Sequence, residues 1–358
     1  MGRSAGGPPG RANNFDLLRI FAASQVMLSH AIAHLHVAVP AAWMKMLYAF
    51  PGVPIFFVIS GFLISASYER SPGLGQFCRN RALRIFPGLW CCVFATVLVA
   101  ELFGYSFLHA GAVAWMVAQL AGVIYTPGFL AGFGTGSYNG SLWTIPVELQ
   151  FYVTVPIVYW LLARRREHAS AWLAAGWLAC VAVGFATSRY AAPHGGEAPL
   201  GKLLRYSLMP HFFLFLTGVL MQRAGFQKVP WIAGKGLWWL AAYVVFRFNV
   251  SGAGASYVLS TLLLAVVTVS MAHTVPGASR RVLRGNDISY GVYIYHGLLI
   301  NVFVELGLQG PAWLPCLLVC AYLVGYLSWV MIERPFLRRK GRTSTSEAAP
   351  AVELPRVA

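Results

Sequence analysis

Long apolar runs, separated by short polar or basic segments, dominate the pattern along this chain. A helix of about twenty apolar residues is long enough to cross roughly 30 Å of hydrocarbon. The predicted fold class is therefore all-α: a polytopic helical membrane bundle of about ten transmembrane helices. The spans are predicted at residues 19–39, 51–68, 85–104, 143–163, 169–187, 207–222, 230–247, 255–274, 289–305 and 312–332.

One further apolar segment, 111–130, is broken by glycine and proline and leads into a Gly/Asn/Ser-rich stretch at 132–140. Basic residues concentrate on the cytoplasmic side of membrane proteins. If 111–130 crossed the membrane, the basic clusters at 164–166, 280–284 and 338–342 would face outward. We therefore predict that 111–130 is re-entrant or interfacial, and that both termini are cytoplasmic.

Composition agrees with a membrane environment. The chain is 58% hydrophobic and only 11% charged, whereas soluble domains average about 25% charged residues. Its 27 Lys and Arg against 11 Asp and Glu would suggest nucleic acid in a soluble protein. Here the basic residues lie between apolar runs, so the expected partner is membrane lipid and no nucleic acid is expected.

The local composition predicts a division of the chain into three parts. Residues 1–14, rich in Gly, Pro and Arg, are predicted to be a disordered cytoplasmic N-terminus without a cleavable signal peptide. Residues 15–336 are predicted to form the membrane domain. Residues 337–358, basic and then rich in Ser, Thr, Ala and Pro, are predicted to be a disordered cytoplasmic tail.

Ionisable side chains inside predicted spans are costly and are candidates for functional sites. His30 lies near the middle of the first span, and Arg19 precedes it by eleven residues, close to three helical turns. Both side chains therefore share one helix face, about 16 Å apart, along which an anionic substrate can lie. The alternative is an interhelical hydrogen bond by His30. A metal site built on His30 and His34 is not expected, because no third ligand is evident.

A carboxylate and a stripe of three polar side chains also fall within apolar runs. Glu148 lies close to the predicted outer end of its span, where pairing with His30 would fix the imidazole tautomer; the alternative is a helix-entry anchor. Tyr290, Tyr293 and His296 recur at intervals of three residues and form one polar stripe. That stripe is either a substrate-lining face or an interhelical hydrogen-bond network.

Two arginines, Arg81 and Arg84, are predicted to lie on a cytoplasmic loop that ends at Pro87. Three residues apart, they share a face of a short helix. Paired guanidinium groups suit phosphate, whose oxygens they bind in a bidentate manner. The alternative is ordinary positive-inside anchoring.

In this order, these pieces resemble the acyltransferase-3 family of bacterial membrane acyltransferases, which modify sugars of surface polysaccharides and some small molecules. The resemblance runs from about residue 14 to 336. Its motifs are Phe15-Asp16-Leu-Leu-Arg19 with His30, Gly52-Val-Pro-Ile-Phe-Phe-Val-Ile-Ser-Gly61, Arg81-Ala-Leu-Arg84, Ser141-Leu-Trp143 with Glu148, Ser289-Tyr-Gly-Val-Tyr-Ile-Tyr-His296, and Glu333-Arg-Pro-Phe336.

The resemblance implies that His30 is the essential catalytic residue and that Arg81 and Arg84 meet a cytoplasmic acyl-CoA. It carries the family's carboxylate onto Glu148, although the second acid that often follows is replaced by Leu149. It further implies the bacterial inner membrane and no fused SGNH-type domain. The expected donor is acyl-CoA, most simply acetyl-CoA, with Arg19, Arg81 and Arg84 on its phosphates. Expected substrate-lining residues are Trp143, Tyr293 and His296.

The main hypothesis is thus a membrane O-acyltransferase in which His30 is the general base, Glu148 assists it, and a cell-surface glycan or its lipid-linked precursor is the acceptor. Direct transfer and a covalent acyl-histidine both remain open. So do a lone subunit, a homo-oligomer and contact with polysaccharide-biosynthesis partners. The first alternative function is a transporter or flippase without bond chemistry, which leaves the Arg81/Arg84 pair poorly explained. The second is a structural membrane partner with no essential buried ionisable residue.

Overall fold

A computed structural model of the chain describes residues 13–70, 73–108, 110–164, 166–194, 206–250, 252 and 254–341. Over these residues the structure is a bundle of helices with no β-strand. The predicted all-α fold is confirmed. The predicted disordered ends fall, for residues 1–12 and 342–358, outside the described residues.

The α-helices that the structure describes are numbered here in chain order. They are α1 (Phe15–His34), α2 (Ala41–Ala49), α3 (Gly52–Arg70), α4 (Leu74–Leu102), α5 (Ala112–Leu120), α6 (Thr144–Arg164), α7 (Ala169–His194), α8 (Phe212–Arg223), α9 (Gly236–Asn249), α10 (Ala255–Ala272), α11 (Ala278–Leu283), α12 (Ser289–Glu305), α13 (Leu314–Ser328) and α14 (Arg334–Leu337). A π-helical turn, Trp329–Glu333, joins the last two.

Each of the ten predicted spans contains a helix. Six segments of the described chain are long and apolar enough to cross a membrane, and they include α3, α4, α6, α7, α10 and α13. The other four predicted spans hold α1, α8, α9 and α12, of which the last three have 12 to 17 residues. The protein is therefore a multi-pass membrane protein.

The segment 111–130 does not cross the membrane as a single helix. Its α-helix, α5, has nine residues and a length of about 14 Å, less than half the hydrocarbon thickness. A single 3₁₀ turn, Gly128–Leu130, follows. This agrees with a re-entrant or interfacial segment, while the cytoplasmic location of the termini remains a prediction.

Several predicted span bounds differ from the helix bounds, and two of these differences affect the helices that carry the candidate site residues. α4 begins at Leu74 rather than at residue 85, so Arg81 and Arg84 lie within a long helix instead of a loop, and Pro87 is buried inside it. Hydropathy detects only the apolar part of a helix and misses a basic extension beyond it. α1 ends at His34 rather than at residue 39; His36, two residues later, has a left-handed φ of 53°, which does not continue a right-handed helix.

Close backbone packing brings the central helices together. α3 and α8 meet where Gly61 faces the Phe215 carbonyl and Gly218 faces the Val58 carbonyl. Small residues of this kind allow membrane helices to approach closely. α1 packs against both α3 and α12, so the helix that carries His30 lies directly against the helix that carries His296.

Several hydrogen bonds attach the Gly-rich segment before α6 to α12, and one buried side chain, Asn139, lies close to His296. Asn139 is 2% exposed; it donates from Nδ2 to the Ile294 carbonyl over 2.7 Å and accepts from the Ser141 hydroxyl over 2.6 Å. Its carboxamide fits because Gly297 has no side chain: a Cβ there would overlap Asn139 Oδ1. Gly297 directly follows His296, so this contact also fixes the position of that part of α12.

Gly297→Ala is expected to destabilise the protein by about 1–3 kcal/mol, the usual cost of overpacking a filled interior. The added methyl group displaces Asn139 and breaks its hydrogen bonds to Ile294 and Ser141. The measurement is the melting temperature of the purified protein in detergent. Gly111→Ala is the matched control, because a Cβ there meets no atom within 4 Å. Equal melting temperatures for the two variants would rule out the packing argument.

Candidate active site

A cavity of about 350 Å³ opens among α1, α3, α4, α6 and α12, a size within the range of small-molecule sites. One end is basic, and the other is polar and aromatic. Its arginines are Arg19, Arg70, Arg81 and Arg84, and its other polar residues are Ser60, Ser67, Thr144, Glu148, Tyr152, Asp287, Ser289, Tyr290 and Tyr293.

Asp287 holds two of these arginines. Its Oδ2 lies 2.6 Å from Arg84 Nη2 and 3.5 Å from Arg19 Nη1. Burial raises the pKa of Asp287, but Arg84 and Arg19 outweigh it and hold the pKa at about 2, below the usual 3.8. The stabilisation from this ionised group is present above the usual pKa and is lost only as the pH falls toward about 2. The carboxylate therefore stays charged throughout the neutral range.

Sequence analysis missed Asp287. Its local signal is weak: it precedes the start of α12 and accepts from the Ser289 hydroxyl over 2.5 Å. Arg84 lies 203 residues away along the chain, so only the fold shows that they meet. Because Asp287 engages Arg19 and Arg84, these two are less available to phosphate than the sequence suggested.

Arg81 lies in a different environment. Its guanidinium carbon lies 5.7 Å from the centroid of the Tyr152 ring and 5.8 Å from that of Phe77, at cation–π distances. Its Nε is buried and has no hydrogen-bond partner among the described residues. A buried donor without a partner is costly, so this group is suited to an anionic ligand in the cavity.

Glu148 lines the same cavity, and its pairing with His30 remains a prediction. Its Oε1 accepts from the Tyr152 hydroxyl over 2.5 Å, one turn along α6. α12 supplies a hydrogen-bonded partner of His30.

That partner is His296. Its Nε2 lies 3.1 Å from Nδ1 of His30, and its side chain is 0% exposed. Neither histidine is among the described residues that line the cavity. Tyr293 connects the two regions, since it lines the cavity and its ring centroid lies 5.8 Å from that of His296. Its hydroxyl is bonded to Thr144 Oγ1 over 2.9 Å.

Of the three predicted substrate-lining residues, the structure places only Tyr293 at the cavity. His296 is buried behind it. Trp143 packs against Tyr206 and His211, with ring centroids 5.9 and 5.5 Å away, and is not among the described lining residues. Within the described chain, no group of three or more His, Cys, Asp or Glu side chains is arranged to hold a metal ion.

Comparison with known proteins decides the family. The model of a family described as an acyltransferase domain matches residues 13–332. The chain is 34% identical to nodulation protein 10 of Rhizobium leguminosarum bv. viciae, over 94% of this chain and 96% of that protein. The chain belongs to the acyltransferase-3 family. It is an acyltransferase that transfers groups other than aminoacyl groups.

Other relatives of this acyltransferase cover nearly as much of the chain. It is 26% identical to an O-acetyl transferase of Shigella phage Sf6, over 92% of this chain and 97% of that protein. It is 27% identical to the acyltransferase MdmB of Streptomyces mycarofaciens, over 83% of each. No solved structure matches.

Proposed function

We propose that this acyltransferase moves an acyl group, with acetyl as the expected group, from cytoplasmic acyl-CoA to a hydroxyl of a surface glycan or its lipid-linked precursor. The observation that carries the proposal is one cavity lined by both Arg81 and Tyr293. The Tyr293 ring packs against His296, which is hydrogen-bonded to His30. Relatives named O-acetyl transferase and exopolysaccharide production protein ExoZ support acetyl and glycan as the substrates.

The basic end suits the phosphates of the donor. Arg81 presents a buried Nε without a partner among the described residues, and Arg70 lines the same cavity. Arg19 and Arg84, held by Asp287, keep this end positive without having to bind phosphate directly. The acyl-pantetheine arm would then extend along the cavity toward Tyr293.

His30 acts as the general base in this proposal. The acceptor hydroxyl oxygen attacks the thioester carbonyl carbon while the imidazole takes the hydroxyl proton. The C–S bond then breaks, and the leaving thiolate takes that proton as CoA is released. Glu148, hydrogen-bonded to Tyr152 and lining the cavity, binds acceptor hydroxyls in this proposal.

Mass spectrometry of surface glycans from cells with and without the gene tests the proposal as a whole. Loss of an acetyl mass increment on deletion, restored by the wild-type gene, is the expected result. An unchanged set of glycan masses would count against a glycan acceptor. Loss of the entire glycan from the surface would favour a transporter instead.

Arg81→Gln is expected to raise the KM for acyl-CoA roughly 10-fold and to leave kcat nearly unchanged. A hydrogen bond to a charged group contributes about 1.5 kcal/mol or more, which corresponds to about a factor of ten. The measurement is steady-state acyl-CoA consumption by the purified protein. Arg79→Gln is the control, because it removes the same charge from α4 outside the cavity, where Arg79 binds the Arg339 carbonyl. Equal KM increases in both variants would show a nonspecific charge effect.

A further inference from the structure

The pair His30–His296 has a feature that the general-base proposal does not use: both ring nitrogens of His296 are engaged. Its Nδ1 lies 3.3 Å from the Val292 carbonyl oxygen, one turn earlier in α12. Its Nε2 lies 3.1 Å from His30 Nδ1. These contacts form one linear chain from a backbone carbonyl through two imidazole rings.

If both rings are neutral, the donors and acceptors along this chain allow only one placement of the two N–H protons. A carbonyl oxygen only accepts hydrogen bonds, so Nδ1 of His296 carries that ring's proton. A neutral imidazole has one N–H, so Nε2 of His296 is an acceptor. Nδ1 of His30 must then donate to it, and the lone pair of His30 lies on Nε2.

The surroundings of His296 favour its neutral form. The side chain is fully buried within an apolar helix, and moving a charged imidazole from water into such a place is costly. The carbonyl that orients it belongs to the same helix, so the backbone of α12 fixes the ring without any further group. His296 is therefore a buried acceptor that faces α1.

We propose that His296 is a positioning residue that holds His30 in the tautomer with the proton on Nδ1, so that Nε2 is the nitrogen that takes the acceptor's proton. The catalytic part of this inference rests on the proposed function; the tautomer does not. The same hydrogen bond also stabilises His30 after proton transfer. The His30 imidazolium still donates from Nδ1 to His296, now in a stronger, charge-assisted hydrogen bond. The base is thus oriented by a third group, here a neutral imidazole rather than a carboxylate.

The direct test is nitrogen NMR of the purified protein in lipid, labelled with ¹⁵N at its nine histidines. Comparison with His30→Ala assigns the His30 signals. The expected spectrum shows a protonated Nδ1 and an unprotonated Nε2 for His30. A proton on Nε2 instead would overturn the proposal, whatever the enzyme's activity. This experiment needs no variant of His296, so it stands even if such variants fail to fold.

Kinetics of two His296 variants supply the second readout. His296→Phe keeps a ring but removes the acceptor, and kcat is expected to fall roughly 10–100-fold, as for other partners that orient a functional histidine. The KM for acyl-CoA should stay the same, because the substitution leaves the basic residues of the cavity unchanged. His296→Gln restores an acceptor oxygen and should recover much of the loss.

The outcomes separate this inference from the proposed function. If His30→Ala remains fully active, His30 is not the base, and the NMR tautomer still reports on the pair alone. If His30→Ala is inactive but His296→Phe and His296→Gln both match the wild type, His296 does not position the base. If the two His296 variants lose activity equally, the role of the residue is packing rather than hydrogen bonding.

Discussion

Asp287→Ala is expected to lower the stability of the protein by about 3–5 kcal/mol, the usual cost of removing one partner from a buried ion pair. Asp287 is 12% exposed and Arg84 18%. Without the carboxylate, the positive charges of Arg84 and Arg19 remain together in the cavity wall with no counter-ion. The measurement is the melting temperature of the purified protein at neutral pH, where Asp287 is ionised.

The control is Asp16→Ala, which also removes a carboxylate from Arg19, at 3.3 Å, but from a side chain that is 47% exposed. An exposed pair contributes about 0–1 kcal/mol, so this variant should differ little from the wild type. The double variant Asp287→Asn with Arg84→Gln should cost less than the sum of its single variants, since fewer charges are left buried. If Asp287→Ala and Asp16→Ala have the same melting temperature, the buried charge cluster does not stabilise the fold.

His30→Ala is expected to lower kcat for acyl transfer by about 10²–10⁴-fold, the usual contribution of a positioned general base. The fold should persist, because His30 is only partly buried and its hydrogen-bonded partner His296 keeps the Val292 carbonyl. The measurement is the initial rate of acyl transfer at saturating acyl-CoA, alongside the melting temperature.

His34→Ala is the matched control for this loss. His34 lies one turn farther along α1, is exposed, and has its ring centroid 6.2 Å from that of His30. It should retain nearly all of the wild-type rate. Equal loss in the two variants would point to a structural effect on α1, and an active His30→Ala would remove this residue from the chemistry.

Apolar runs were enough to predict the fold. Every predicted span contains a helix because about twenty apolar residues in lipid have few alternatives to one. Charge patterning also indicated that 111–130 does not cross, and its nine-residue helix agrees. The predicted bounds were wrong where helix formation does not depend on apolar residues. α4 begins at Leu74, runs through basic residues and continues past Pro87.

The site was harder to predict because its contacts join distant parts of the chain. His30 and His296 are 266 residues apart, and each looked like an isolated buried histidine with several equal interpretations. The hydrogen bond from Tyr152 to Glu148, one turn apart on the same helix, was also not predicted. Asp287 gave too weak a local signal, although it determines how Arg19 and Arg84 are used.

The most direct test of the account is the stoichiometry of acyl transfer by the purified protein in lipid vesicles, given acetyl-CoA and a glycan acceptor. We predict that thioester cleavage requires the acceptor and that one acetyl group appears on the glycan for each CoA released. His30→Ala should slow both by about 10²–10⁴-fold. Movement of the glycan across the vesicle membrane with the thioester intact would contradict acyl transfer as the function of this site.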